Sequence, residues 1–353
     1  MLVTIHKDRY DRFDPFCEIF EKILDYNNIP HMRVDASDID FWDNVKKSDL
    51  FIYRWIQWDD HLQIAKNIMP IVEYQLGIPC LPDQRTSWHY DDKIKQYYML
   101  HLKGYPFIDT WVFYDRKKAL EWLDTVQEYP LVFKLKGGAA SYNVLLAKSK
   151  KSATRLINKM FSEGITSNNI SFGKTTKEVD FNIKKFVRHQ GGNLLRKWRG
   201  EDAEPFWQLN KNYVLFQKFL PGNKFDTRIY VVGGRALAFR RMVRKNDFRA
   251  SGSGNNDFNP DMIDKRCIKI ALQISEEMQF QAMAYDFLFD EKGEPFIAEI
   301  SYASIGRILN KCPGYWDKDL NFFEGHNWIQ YFQLKDALKM PDLKQPENLV
   351  ENS

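Results

Sequence analysis

A chain of 353 residues exceeds the roughly 100–200 residues of one ordinary core, so two or three lobes are expected and a lone small binding module is excluded. With 44% hydrophobic and 28% charged residues it is neither disordered nor fibrous, and 51 Lys and Arg against 47 Asp and Glu leave only +4. The molecule as a whole is therefore no nucleic-acid binder, any anion site must be local, and the lack of an apolar run of ~18–20 residues predicts a cytoplasmic chain without a membrane span.

Residues 2–5, the helical stretch 15–26 and the apolar run Leu50 to Tyr53 read as strand, helix and strand. Gly77-Ile78-Pro79 and Leu81-Pro82-Asp83 break this pattern, so residues 1–85 are expected to form an α/β domain. The next lobe, 86–212, alternates a helix over 92–102, a strand over 107–113, a helix over 116–125 and strands over 130–136 and 144–147, a small antiparallel α+β unit. Its end, 164–212, is a basic insertion carrying Lys174, Lys177, Lys184, Lys185, Arg188, Arg196, Lys197 and Arg199. That composition fits a solvated insertion or a cover that attracts an anionic substrate.

A third lobe, 213–335, opens on a hairpin whose strands 228–232 and 236–240 flank Gly233-Gly234-Arg235, and a helix follows over 260–278. A second hairpin joins 283–289 to 296–300. The tail, 336–353, is polar and expected to fray. Cys17, Cys80, Cys267 and Cys312 form no C-x-x-C pair and the seven histidines show no H-x-x-x-H spacing, so they read as packing residues.

Two phosphate-loop strings fail. Gly173-Lys174-Thr175 has Asn168 where a P-loop needs glycine, and Gly252-x-Gly254 has Asp257 where a dinucleotide fingerprint needs its third. A stronger pattern is the strand 130–136, which carries Lys134 and Lys136 into Gly137-Gly138-Ala139-Ala140-Ser141. A lysine leaving a strand supplies fixed charge, and small residues after it let backbone N–H groups approach a polyphosphate.

In the second hairpin, pairing Phe289 with Phe296 sets Asp286 opposite Glu299. Two facing acids among apolar neighbours need a cation, and ligands that are all oxygen indicate Mg²⁺. Asp226-x-Arg228, Arg240-Arg241, Arg244 and Arg249 precede the loop Ser251 to Asn256. Their guanidinium forks suit phosphates and carboxylates, so with the loop N–H groups they could hold a transferring phosphoryl group.

Taken in chain order, these segments resemble the ATP-grasp superfamily across roughly residues 86–310. The order of parts carries the resemblance: Asp92-Lys93, Lys134 with its glycine loop, Phe216-Gln217-Lys218-Phe219-Leu220, Asp226-x-Arg228, the Arg241 strand, and Asp286 with Glu299. The implied fold is an N-terminal α/β lobe followed by two α+β lobes clamping ATP. Lys93 and Lys134 would meet the phosphates, the hinge Gln217 to Leu220 the adenine edge, and Asn223 the ribose. Asp286, Glu299 and Ser301 would hold Mg²⁺, with Ser301 standing where the superfamily commonly has Asn. Arg228, Arg241 and Arg249 would steady the transferred phosphoryl group.

The activity this implies is ATP-dependent ligation of a small-molecule carboxylate to an amine through an acyl phosphate. The alternatives are a small-molecule kinase or a non-catalytic nucleotide-binding scaffold on the same fold. The segments 241–254, 299–302 and 312–316 are similar to a subgroup associated with bacterial surface-polysaccharide synthesis, which implies a sugar acid as acceptor. A homo-oligomer is compatible with this reading.

Overall fold

The computed structural model describes residues 1–7, 15–138, 143–166, 208–243, 254–347 and 349, which build three sheets and a short ribbon. The first sheet is parallel, in the order His31–Val34, Val3–His6, Leu50–Ile52, Cys80–Leu81. The apolar runs predict only its two inner strands. The outer two lack such a run: His31–Val34 is largely half-buried or exposed, and Cys80–Leu81 is two residues long. Helix Pro15–Tyr26 packs Phe16, Ile19, Phe20, Ile23 and Leu24 inward, a spacing that puts them on one helical face.

The second sheet is antiparallel, in the order Thr110–Phe113, Val214–Lys218, Leu131–Lys134, Val144–Ala147. Val214–Lys218, which its place in the chain groups with the third lobe, lies inside this sheet and buries Val214, Leu215 and Phe216. The strand expected from 107 begins only at Thr110. Phe107 instead bridges to Ile297 of the third sheet, with Ile108 N–H donating to the Ile297 carbonyl at 3.0 Å and Ile297 N–H to that of Pro106 at 2.7 Å. Ile165–Thr166 and Leu209–Asn210 pair as the ribbon. The eight basic residues of the insertion lie outside the described residues.

The third sheet runs Pro295–Ser301, Ala282–Phe289, Phe225–Val232, Arg235–Met242, Gly314–Trp316, Phe322–Glu324, with Asn256–Asp257 also on Arg235–Met242. Gly233 and Gly234 make the tight turn at φ +51° and +76°, where a side chain would be strained. The first and third sheets share two apolar cores, one around Phe20, Leu24, Tyr230 and Ile329, the other around Phe51, Tyr53, Tyr285 and Ile300. The second sheet closes its own core around Phe133, Leu123, Ile157 and Phe216. All four cysteines are free and buried, and no helix among the described residues is long and apolar enough to cross a membrane.

As far as Gln345, the expectation of a frayed tail is corrected. Leu343 is buried, and the Asn27 side chain both donates to the Lys344 carbonyl at 2.8 Å and accepts its N–H at 2.9 Å. Trp328 N–H is held by Gln345 Oε1. One buried leucine and a side-chain clamp outweigh polar composition, because ordering a few residues is offset by buried apolar area. Leu343→Ala is expected to destabilise the protein by about 2 kcal/mol or more, read as a lower urea midpoint.

Candidate functional site

The site is built on one face of the third sheet. Strand alternation sends Asp226 and Arg228 to the same side, and antiparallel pairing sets Asp226 against Arg241 and Arg228 against Asp286. Arg228 donates Nε and Nη2 to the two oxygens of Asp286, both at 2.7 Å. Arg241 grips Asp226 the same way, at 2.7 and 2.6 Å, and extends Nη2 to Asp286 Oδ2 at 2.7 Å. Burial alone would raise the Asp286 carboxyl, but Arg228 and Arg241 hold it well below the usual carboxylate range. Arg240 points to the other face, onto Asp257 and over the Phe225 ring.

Glu299 lies opposite Asp286, as expected, by a different route. The turn pairs Phe289 with Pro295, one residue off the assumed Phe289–Phe296 register. Continued regularly, that register would turn Glu299 to the far face. A β-bulge between the Asp286 and Phe287 pairs takes up Ala298 as an extra residue and restores the alignment.

Both lysines of the second lobe reach this face. Lys93 Nζ lies 3.1 Å from Glu299 Oε1, and Lys134 Nζ donates to the carbonyl of the bulge residue Ala298 at 3.4 Å. Lys93 opens helix Lys93–Leu102, whose N-cap Asp92 accepts the N–H groups of Ile94 and Lys95. Burial opposes its charge, yet Glu299 and Asp91 hold its pKa above the ordinary value. Burial pushes Lys134 down to about 8, with Glu299 only partly offsetting it.

The glycine loop meets the start of that helix. Lys93 N–H donates to the Lys136 carbonyl at 2.8 Å and Lys93 Nζ to that of Gly138 at 2.9 Å. Lys136 N–H donates to the Tyr213 hydroxyl, and Asn143 Nδ2 to the Gly137 carbonyl. Asp91, which sequence reasoning passed over, accepts Gly138 N–H at 2.7 Å. Burial raises its carboxyl to about 7, against the pull of Lys93 and that N–H. Its only sequence signal is the doublet before Lys93, since Asp tolerates the left-handed φ of +53° it adopts.

The remaining predicted residues divide. Gln217 turns its amide to Thr110 Oγ1 inside the sheet, and Lys218 uses its N–H on the Asp109 carbonyl with its side chain exposed. Phe219 and Leu220 are half-buried in the crossing to the third sheet. Asn223 clamps Phe289, donating Nδ2 to its carbonyl and accepting its N–H. Ser301 donates its hydroxyl to the Ala303 carbonyl. Ser141, Arg244, Arg249 and residues 251–253 lie outside the described residues.

No group of three or more His, Cys, Asp or Glu that could hold a metal ion occurs among the described residues. The pair Asp286 and Glu299 nevertheless suits a hard cation. Arg228 takes one bond to Asp286 Oδ1 and Lys93 contacts Oε1 of Glu299, so each carboxylate keeps lone-pair capacity for an oxygen-seeking ion.

The profile of the RimK-like ATP-grasp domain matches residues 183–311. No curated protein matches the chain in sequence. Among solved structures, the biotin carboxylase domain of Hydrogenobacter thermophilus 2-oxoglutarate carboxylase, solved with Mg-ADP, ADP and bicarbonate, superposes at TM-score 0.56 with 10% identity, over 96% of this chain and 69% of that one. D-cycloserine synthetase superposes at 0.52 with 14% identity, over 96% and 99%. D-alanine–D-alanine ligase from Bacillus anthracis superposes at 0.51 with 13% identity, over 86% of each chain. The chain has the ATP-grasp fold.

Lys134 offers a test of the site's electrostatics. Lysine ordinarily stays protonated to 10.5 and Lys134 in the fold only to about 8. Folding therefore releases a proton between those values, and the penalty, about 3 kcal/mol below pH 8, fades as pH rises through that window. Lys134→Met is expected to raise the thermal midpoint at pH 7 and to remove the part of the stability gain between pH 8 and 10.5 that this group supplies, measured by thermal unfolding across that range.

Proposed function

We propose that the chain is an ATP- and Mg²⁺-dependent ligase that joins a small-molecule carboxylate to an amine, releasing ADP and phosphate. The observation that carries this reading is the convergence of Lys93 and Lys134 from one lobe on Glu299 and the Ala298 bulge of the other, with Asp286 beside them. Such a seam of cations and acids between two lobes suits a polyphosphate and its metal.

In this reading Lys93 and Lys134 bind the phosphates, and the backbone of Lys136, Gly137 and Gly138 lets them approach closely. The Lys218–Leu220 backbone faces the adenine, with Asn223 at the ribose end, where Pro221 to Asn223 and Phe289 to Glu291 line an open depression of about 390 Å³. Asp286 and Glu299 would hold Mg²⁺, which supplies charge neutralisation at the phosphate oxygens. Arg228 and Arg241, with Arg249, orient the phosphoryl group.

The acceptor carboxylate oxygen attacks the γ-phosphorus and ADP leaves; the amine then attacks the acyl carbon, and phosphate leaves with the bonding pair and takes up the proton the amine gives up. Carboxylate is a poor electrophile and phosphate a good leaving group, so positioning and charge neutralisation carry the catalysis. A sugar acid used in surface-polysaccharide synthesis is the acceptor we favour, on the sequence likeness of segments 241–254, 299–302 and 312–316.

With ATP, Mg²⁺ and hydroxylamine in place of the amine, a panel of carboxylic acids including uronic acids is expected to yield a hydroxamate. Phosphorylated alcohol without hydroxamate would replace this reading with a kinase. Glu299→Gln is expected to lower hydroxamate formation by about 100-fold or more and, by leaving buried Lys93 without its partner, to lower the unfolding midpoint while the protein still folds.

A further inference from the structure

We propose that the Asp91 carboxylate is a built-in stand-in for a nucleotide phosphate: it sits against Gly137 and the N–H of Gly138, and the triphosphate enters by taking its place. The inference rests on the nucleotide-binding reading above and adds how that seat is held and opened.

Gly138 N–H donates to Asp91 Oδ1 at 2.7 Å, and a Cβ on Gly137 would stand 2.7 Å from Asp91 Oδ2. Gly138 thus meets the carboxylate through its N–H and Gly137 through the space a side chain would fill, while the missing side chain of Gly138 makes room for Asn143. Lys93 is tied to the same loop, its Nζ bonding the Gly138 carbonyl and its N–H the Lys136 carbonyl, and its charge pulls on the Asp91 carboxyl from nearby. Asp91 reaches this position through a φ of +53°, uncommon for a residue with a side chain, which makes the arrangement a specific local conformation.

Charge balance makes the seat exclusive. Asp91 and Glu299 already offset Lys93, while Lys134 is offset only in part. A triphosphate in contact with the Gly138 N–H would meet the Asp91 carboxylate at the same donor, and two anions cannot share one N–H in a buried setting without strong repulsion. Burial disfavours the ionised carboxylate, so withdrawing it into water recovers hydration that it lacks against the loop.

The competing role for Asp91 is a peg that merely supports the loop, and Asp91→Asn separates the two. The amide oxygen still accepts Gly138 N–H but carries no charge. Calorimetric titration of the full chain would use ATP with Mg²⁺, inorganic tripolyphosphate, and adenosine. Asp91→Asn is expected to bind ATP and tripolyphosphate about five-fold or more tighter than the unaltered protein, with adenosine unchanged. Equal or weaker ATP binding by a folded Asp91→Asn protein would overturn this inference and leave the nucleotide site standing. Absence of ATP and tripolyphosphate binding by both proteins would overturn the two together. Asp91→Ser, neutral and with an acceptor oxygen, serves as the second variant if the amide does not fold.

Discussion

Keeping carboxylates ionised on a sheet face that water scarcely reaches is the constraint around which the molecule is arranged. Asp226 and Asp286 are both less than a tenth exposed, and an unpaired buried charge costs several kcal/mol or more. Arg228 and Arg241 offset that cost inside the third sheet with bidentate bonds across strand pairs, fully for Asp286 and in part for Asp226, whose carboxyl burial still raises. Glu299, at the sheet edge, takes its cation from outside: Lys93 crosses from the second lobe. The arginine–aspartate pairs are thus internal to one sheet, and the Lys93–Glu299 pair spans two lobes.

That division follows the packing. The first and third sheets share apolar cores, one of which Leu100 and Phe107 of the second lobe also enter, while the second sheet closes a core of its own. Between the second and third sheets the links include hydrogen bonds and an ion pair: Phe107–Ile297, Lys134 to Ala298, Gln96 to Ile300 N–H and Lys93–Glu299. Polar links of this kind exchange with ligand atoms more readily than a fused apolar core. The Lys134 ammonium, pushed down by burial, marks where the seam is electrostatically incomplete and an anion would be welcome.

Much of this architecture is legible from residue order. Helices Arg116–Thr125 and Lys150–Met160 carry Asp115 and Ser149 at their caps, although only the first is expected from its apolar pattern. That Lys134, Asp286 and Glu299 lie on strands follows from residue pattern and turn chemistry. The bulge at Ala298 does not, because a one-residue register change leaves no mark in an alternating pattern until the partner strand is known. The site of Val214–Lys218 is equally hidden: an apolar run says that a strand is buried, not which sheet buries it. The polar tail misleads for a related reason, since Leu343 counts for little in composition and for much once a core receives it.

The amino-acid sequence by itself determined which side chains alternate together, where the chain turns, and the kinds of chemistry available: lysines leaving strands, arginines beside acids, glycines where backbone must come close. These are local properties, set by the two-residue period of a strand and the sterics of single residues. Tertiary structure alone decided which cation neutralises which acid, that Asp91 rather than Asp92 meets the glycine loop, and that Asn223 clamps the strand end. Partners 45 or more residues apart in sequence, as Lys93 and Gly138 are, are chosen by the packing of whole lobes, and no short-range rule encodes that choice.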